Sequence, residues 1–326
     1  MVFRKLTPKQ IYALYYALYH TRIDTRINVV LSLESYPLSY NYSWCGGGNS
    51  TVNLDTIDRI TLADDTTNAI DRCDLTVARC YLAGFANGIY GWFGGGNNSG
   101  NTIDRITLAD DTTNASDRCD LSTTKVNLSA FTDNIYGWFS ASKPSVLKTV
   151  DRITLADDTT NATDRCDLSV AKDWYSGFTD NIHGWFGGGR APGPITVIDR
   201  ITLADDTTNA IDRCDLTMKR FGLCGIGDST FGWFAGGMDA GFTDRIDRIT
   251  LAGDTANAID RCNLSSSAGF TTASTDNVYI WFNGGWRTTG PSNTIDRITI
   301  ADDTTNAIDR CDLSVVKYGA AAFAGP

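Results

Sequence analysis

A chain of 326 residues carries 38 acidic against 28 basic side chains, and this formal charge of −10, with no basic stripe to offset it, excludes nucleic acid as an expected partner. Hydrophobic residues at 42% and aromatics at 11% suffice for a sizeable core, while 31 glycines beside only 7 prolines exclude a collagen-like or disordered chain. Nine cysteines are an odd number, so not all of them can pair within one chain.

Residues 1–35 differ from all that follows and are expected to form a helix and linker. Thr7 can cap a helix, Pro8 suits its first position and Gln10 completes a capping box, which predicts a helix to about His20. The run from Ile11 to Tyr19 is too short to span a bilayer, so no membrane insertion is expected, and no signal peptide is expected either. Ile11, Tyr12, Tyr15, Tyr16 and Tyr19 leave few polar faces on this helix. They are candidates either for packing on the protein's own body or for docking an arm on a partner. Residues 21–35 read as an extended linker or edge strand.

From residue 36 to 326 one unit is written six times. TIDRITLADDTTNAIDRCDL, first seen from Thr56 to Leu75, recurs around Asp104, Asp151, Asp199, Asp247 and Asp296, at a spacing that marks repeat architecture. In the second unit, Tyr81–Ala86 reads as a strand, the Asn87-Gly88 turn leads to a second from Ile89 to Phe93, and a variable loop follows. Ile103–Ala109 and Ala115–Leu121 form a third and a fourth strand, joined by Asp110-Asp111-Thr112-Thr113-Asn114, whose side chains favour a reversal. A four-stranded antiparallel meander cannot bury both its faces alone. Radial packing solves this while leaving only short edges, which predicts an all-β, six-bladed propeller. The first unit begins at its second strand and the chain ends on a first-type strand around Tyr318–Ala324, so the C-terminus is expected to complete blade one beside Tyr42–Cys45.

An aromatic strand ending in a glycine doublet, then a loop, a strand, an acidic-polar turn with Asn and another strand together resemble the kelch repeat, over roughly residues 36–326. Arg79, Lys125, Lys172, Arg220 and Lys317 match the kelch basic position, with Ala268 the one departure. The kelch tryptophan of the fourth strand is missing, since Cys73 and its equivalents lie there. GWFGGG followed by a DRI strand in near-identical units is similar to repeat proteins of tailed bacteriophages, including those of cyanophages. The resemblance implies a virion location; a cytoplasmic kelch-like interaction or carbohydrate-binding module is the alternative.

Trp44, Trp92, Trp138, Trp185, Trp233 and Trp281 occur once per unit. They could form a sugar-binding wall, but a sixfold tryptophan in one strand is better explained as core between blades. Asp58-Arg59 and Asp71-Arg72, repeated in every blade, put opposite charges on adjacent strands and on facing blades, where pairing would fix register. Catalysis is not expected of a charge set repeated six times, because chemistry needs one asymmetric site. Asp64-Asp65 and their counterparts suit a hard cation by chemistry, yet the turn is too short for an EF-hand and lacks its distal Glu. No CxxC or Cys/His cluster suggests zinc, and no cofactor is expected. The six cysteines at Cys73 and its equivalents, about 48 residues apart, read as buried thiols.

What varies is the connection between the second and third strands. All six connections are expected on one rim, where variable loops on a rigid scaffold usually carry recognition. Trp286, Arg287, Lys143 and Arg190 are the candidate contact residues there. These features lead to the expectation of a non-enzymatic structural or attachment protein. It would reach other virion proteins through its N-terminal arm and a host surface protein or glycan through its rim loops.

Overall fold

The computed structural model describes residues 40–140 and 148–326. The candidate docking residues Ile11, Tyr12, Tyr15, Tyr16 and Tyr19, the rim candidate Lys143 and the boundary expected near residue 35 lie outside the described residues.

Six four-stranded antiparallel sheets stand around one axis, each running from an inner strand through a second and a third to an outer one. Blade two shows the plan: Ala83–Ala86, Tyr90–Gly94, Thr102–Thr107 and Ser116–Asp120. Blade one takes its inner strand, Ala321–Gly325, from the C-terminus. This strand pairs antiparallel with Tyr42–Gly46, placing Trp44 opposite Phe323 and Cys45 opposite Ala322. The inner strands of successive blades touch all the way round, including the last with the C-terminal strand, so the ring is closed. Among the described residues, blade five alone is larger. Its outer strand extends over Ile259–Gly269 and pairs with Trp286–Arg287, which folds back on Gly290–Pro291.

The six tryptophans are fully buried and lie in hydrophobic clusters spanning the blade-to-blade interfaces. The residue before each tryptophan shows how neighbouring blades fit. In blade two, a Cβ on Gly91 would lie 2.2 Å from Cζ of Phe323, the inner-strand ring of the preceding blade. The same pairing joins Gly137 to Phe85, Gly184 to Phe131 and Gly232 to Phe178. In blade six the position is Ile280, and the preceding inner strand offers the smaller Ile226, packed in the same cluster. In blade one it is Ser43, whose hydroxyl donates to Ser274 Oγ of blade six at 2.8 Å. Large faces small, medium faces medium and polar faces polar, as close packing requires. Ser274→Phe alone is therefore expected to destabilise by about 1–3 kcal/mol through overpacking, and addition of Ser43→Gly to recover most of that loss. Urea unfolding of the single and double variants checks this; equal destabilisation of both would contradict it.

Candidate binding faces

The invariant motif is a clasp between blades. In the turn joining third and outer strands, the first Asp accepts hydrogen bonds from the hydroxyls of its own turn, as Asp64 does from Thr66 and Thr67. The second Asp reaches the preceding blade. Asp111 accepts from Arg59 and Arg72 at 3.0 Å, and from the indole N–H of Trp44 at 3.2 Å. Asp158 holds Arg105, Arg118 and Trp92, and Asp303 holds Arg248, Arg261 and Trp233. Across the joined ends, Asp65 of blade one binds Arg297, Arg310 and Trp281 of blade six. Asp206 and Asp254 likewise take the arginine pairs Arg152, Arg165 and Arg200, Arg213. The turn Asn finishes the clasp, since Asn68 Oδ1 accepts from the Asp312 backbone N–H at 3.0 Å. In five blades the first arginine also lies on the aromatic ring that opens its second strand, as Arg59 does 4.3 Å above Tyr42. Blade four has His183 at that place, bonded to Asp180, and there Trp185 donates to Asp180 instead of to the clasp.

The arginines of the repeated Asp-Arg pairs thus go to the next blade's turn, and the aspartates do something else. Asp58 is fully buried, ion-paired to Lys317 at 3.2 Å, and accepts both the N–H and the hydroxyl of Ser314. Asp104, Asp151, Asp199 and Asp247 repeat this with Arg79, Lys125, Lys172 and Arg220. The basic position seen in the sequence is therefore a buried cation with a buried counter-charge. Burial pushes Lys125 and Lys172 below the usual ammonium range despite the carboxylate each faces. Asp71 lies directly opposite Asp58 in the strand register, and burial together with that like charge raises its carboxyl.

Blade six breaks the pattern, because Ala268 leaves Asp296 without the usual partner. Arg287 fills the gap from the rim loop, its Nη2 3.2 Å from Asp296 Oδ2 and its side chain only 12% exposed. The neighbouring Trp286 packs edge-on against Tyr318 at 4.8 Å. Arg190 makes a two-pronged bond to Asp173 and lies over Phe221. These three rim candidates all lie on the loop-bearing face, where their side chains make contacts within the protein.

That face also carries the crossovers into the inner strands, and in five blades the loop is anchored to one at its root. Gly48, Gly96, Gly189, Gly237 and Gly285 donate their N–H groups to the carbonyls of Arg79, Lys125, Arg220, Ala268 and Lys317. Beyond these anchors the loops diverge. On the axis, the residues just before the inner strands, Tyr81, Asn127, Trp174, Gly222, Phe270 and Gly319, all adopt left-handed backbone, with φ from 55° to 65°. The conformation aims their amides around the axis: Tyr81 N–H donates to Gly319, Gly319 to Phe270, Phe270 to Gly222, Gly222 to Trp174, and Asn127 to Tyr81. Large and small side chains alternate in this iris because each ring covers its neighbour. A Cβ on Gly319 would sit 2.6 Å from Tyr81 Cδ1, and one on Gly222 the same distance from Phe270 Cε1. Tyr81, Trp174 and Phe270 meet edge to face, with centroids 4.7, 4.8 and 6.2 Å apart, and close this end of the axis. The iris was not foreseen from the sequence, where only Gly222 and Gly319 hint at a left-handed position.

The opposite face exposes Ile89, Ile135, Ile182 and Val278 at equivalent turns around the axial opening. All nine cysteines are buried free thiols, and burial pushes Cys73 and its five repeat equivalents up to about 12, so they are poor nucleophiles. Among the described residues no group of three metal-ligating side chains comes together, and no helix is long and apolar enough to cross a membrane.

Fold and repeat together define a β-propeller repeat protein with six blades. Comparison with known protein families and with curated proteins finds no match to this chain.

Proposed function

We propose that this protein is a non-enzymatic attachment or structural component of a phage particle. Its rigid propeller would hold the variable loops out for contact with protein or glycan, and the N-terminal arm would dock it to other virion proteins. The observation that carries the reading is the division of labour along the chain. The recurring arginines and the second turn Asp of the described blades serve blade-to-blade clasps and the third-strand Asp a buried ion pair, whereas the connections on one face differ in length and sequence. The same accounting supports a role without catalysis, because the recurring arginines with the aspartates they meet are engaged in clasps, and Asp58 and its equivalents in buried ion pairs. The phage assignment rests on the likeness of the GWFGGG and DRI units to phage repeat proteins.

Quantitative mass spectrometry of purified particles tests the location, with the protein expected in fixed stoichiometry to the major virion proteins. Its absence from particles and presence in cell extract would favour a cellular interaction module. Deletion of residues 1–35 is expected to abolish incorporation while leaving the propeller folded. Incorporation that survives this deletion would remove the docking role of the arm.

A further inference from the structure

The axis of the propeller is a dead-end cavity of about 550 Å³, within the size range of small-molecule sites. Tyr81, Trp174 and Phe270 are among the residues lining it, at the end closed by the iris. The inner strands form its wall. Each is bonded on one side only, to its second strand, so its other edge presents main-chain N–H and C=O groups toward the axis. Gly, Ala, Ser and Thr dominate these strands, and serines of adjacent inner strands take two groups of that edge: the Gly177 carbonyl accepts from Ser129 Oγ and the Gly225 N–H donates to Ser176 Oγ. Asp228, at the open end, is the one acidic or basic residue of the lining among the described residues, and its carboxylate accepts from the N–H groups of Thr230 and Phe231.

Tyr81, Trp174 and Phe270 keep their rings on the axis at a cost. Left-handed backbone is unfavourable for bulky side chains by about 1–3 kcal/mol per residue, and Gly222 and Gly319 complete the same iris without it. Closing the amide ring therefore does not require aromatic residues, and the rings serve another purpose. An aromatic floor attracts C–H faces, a wall of main-chain donors and acceptors suits hydroxyl groups, and a lining without an unengaged charge disfavours ions.

We propose that the axial cavity binds one neutral sugar residue, such as the end of a glycan chain, entering from the face opposite the variable loops and stacking on the aromatic floor. This site is separate from the loop face, so its failure and the failure of the attachment reading are distinguishable: particle incorporation reports the latter, sugar binding the former.

Saturation-transfer NMR on the full-length protein tests it, using the methyl glycosides of glucose, galactose, mannose and N-acetylglucosamine, with N-acetylneuraminic acid as the charged comparison. Transfer is expected to at least one neutral glycoside and not to the acid. Trp174→Gly, which places at this position the residue found at Gly222 and Gly319, is expected to weaken binding about tenfold, the scale of one ring contact. Ser229→Trp, at an exposed turn lining the open end, is expected to block binding without touching the floor and serves if the first variant does not fold. No transfer to any neutral glycoside, equal transfer to the acid, or binding unchanged in the folded variants would overturn the proposal.

Discussion

Arg287→Ala is expected to lower the unfolding free energy by about 3–5 kcal/mol, the cost of leaving a buried charge without its partner. Asp296 has a side chain only 1% exposed, and Arg287 supplies the cation that Ala268 does not. The other five blades place Arg or Lys at the position of Ala268, so Ala268→Arg in the Arg287→Ala background should restore much of the loss. In the wild-type background the same substitution should destabilise, because two cations would then face one carboxylate. Urea unfolding of the three variants separates these effects. An Arg287→Ala protein within about 1 kcal/mol of wild type, or an Ala268→Arg change that deepens its loss, would show that the two positions are not interchangeable.

Asp303→Asn is expected to cost about 3 kcal/mol, at the lower end for breaking a buried pair because Arg248 and Arg261 keep side-chain exposures of 17% and 25%. The effect should depend on pH in a defined direction. Burial alone would raise the Asp303 carboxyl, but hydrogen bonds from Arg261 and Trp233 and the charge of Arg248 outweigh it and hold the group below the usual carboxylate range. A carboxylate depressed in the folded state contributes stability that is complete above its unfolded value of about 3.9 and disappears as pH falls through the folded value. The difference between wild type and Asp303→Asn should therefore be constant from pH 7 to about 4 and shrink below that. A difference that grows on acidification would contradict the clasp.

The period, the six blades and the closing C-terminal strand were all legible, because each blade repeats one strand grammar and the two chain ends hold complementary halves of one unit. The buried role of the six tryptophans was legible for the same reason. The destination of the charges was not. Asp58-Arg59 reads as a local pair, yet side chains on adjacent residues of a strand point to opposite faces, so Arg59 clasps Asp111 while Asp58 turns to Lys317. Arg287 resembled a free rim residue because nothing in its own loop shows that Ala268, nineteen positions earlier, left a carboxylate to be matched. The Gly–Phe, Ile–Ile and Ser–Ser matching between blades is visible in the repeats only once the faces that meet are known. The iris stayed hidden because its positions carry Tyr, Asn, Trp, Phe and two Gly and share only a backbone conformation.

The account depends on a ring closed by pairing of Ala321–Gly325 with Tyr42–Gly46. Hydrogen exchange read by mass spectrometry on the C-terminal peptide tests this directly. A zipped inner strand predicts that residues 321–325 are protected as strongly as the inner strands of the other blades, with the amides bonded to Tyr42–Gly46 exchanging only on global unfolding. Exchange at the rate of a free tail, with the rest of the protein protected, would mean that the ring is open.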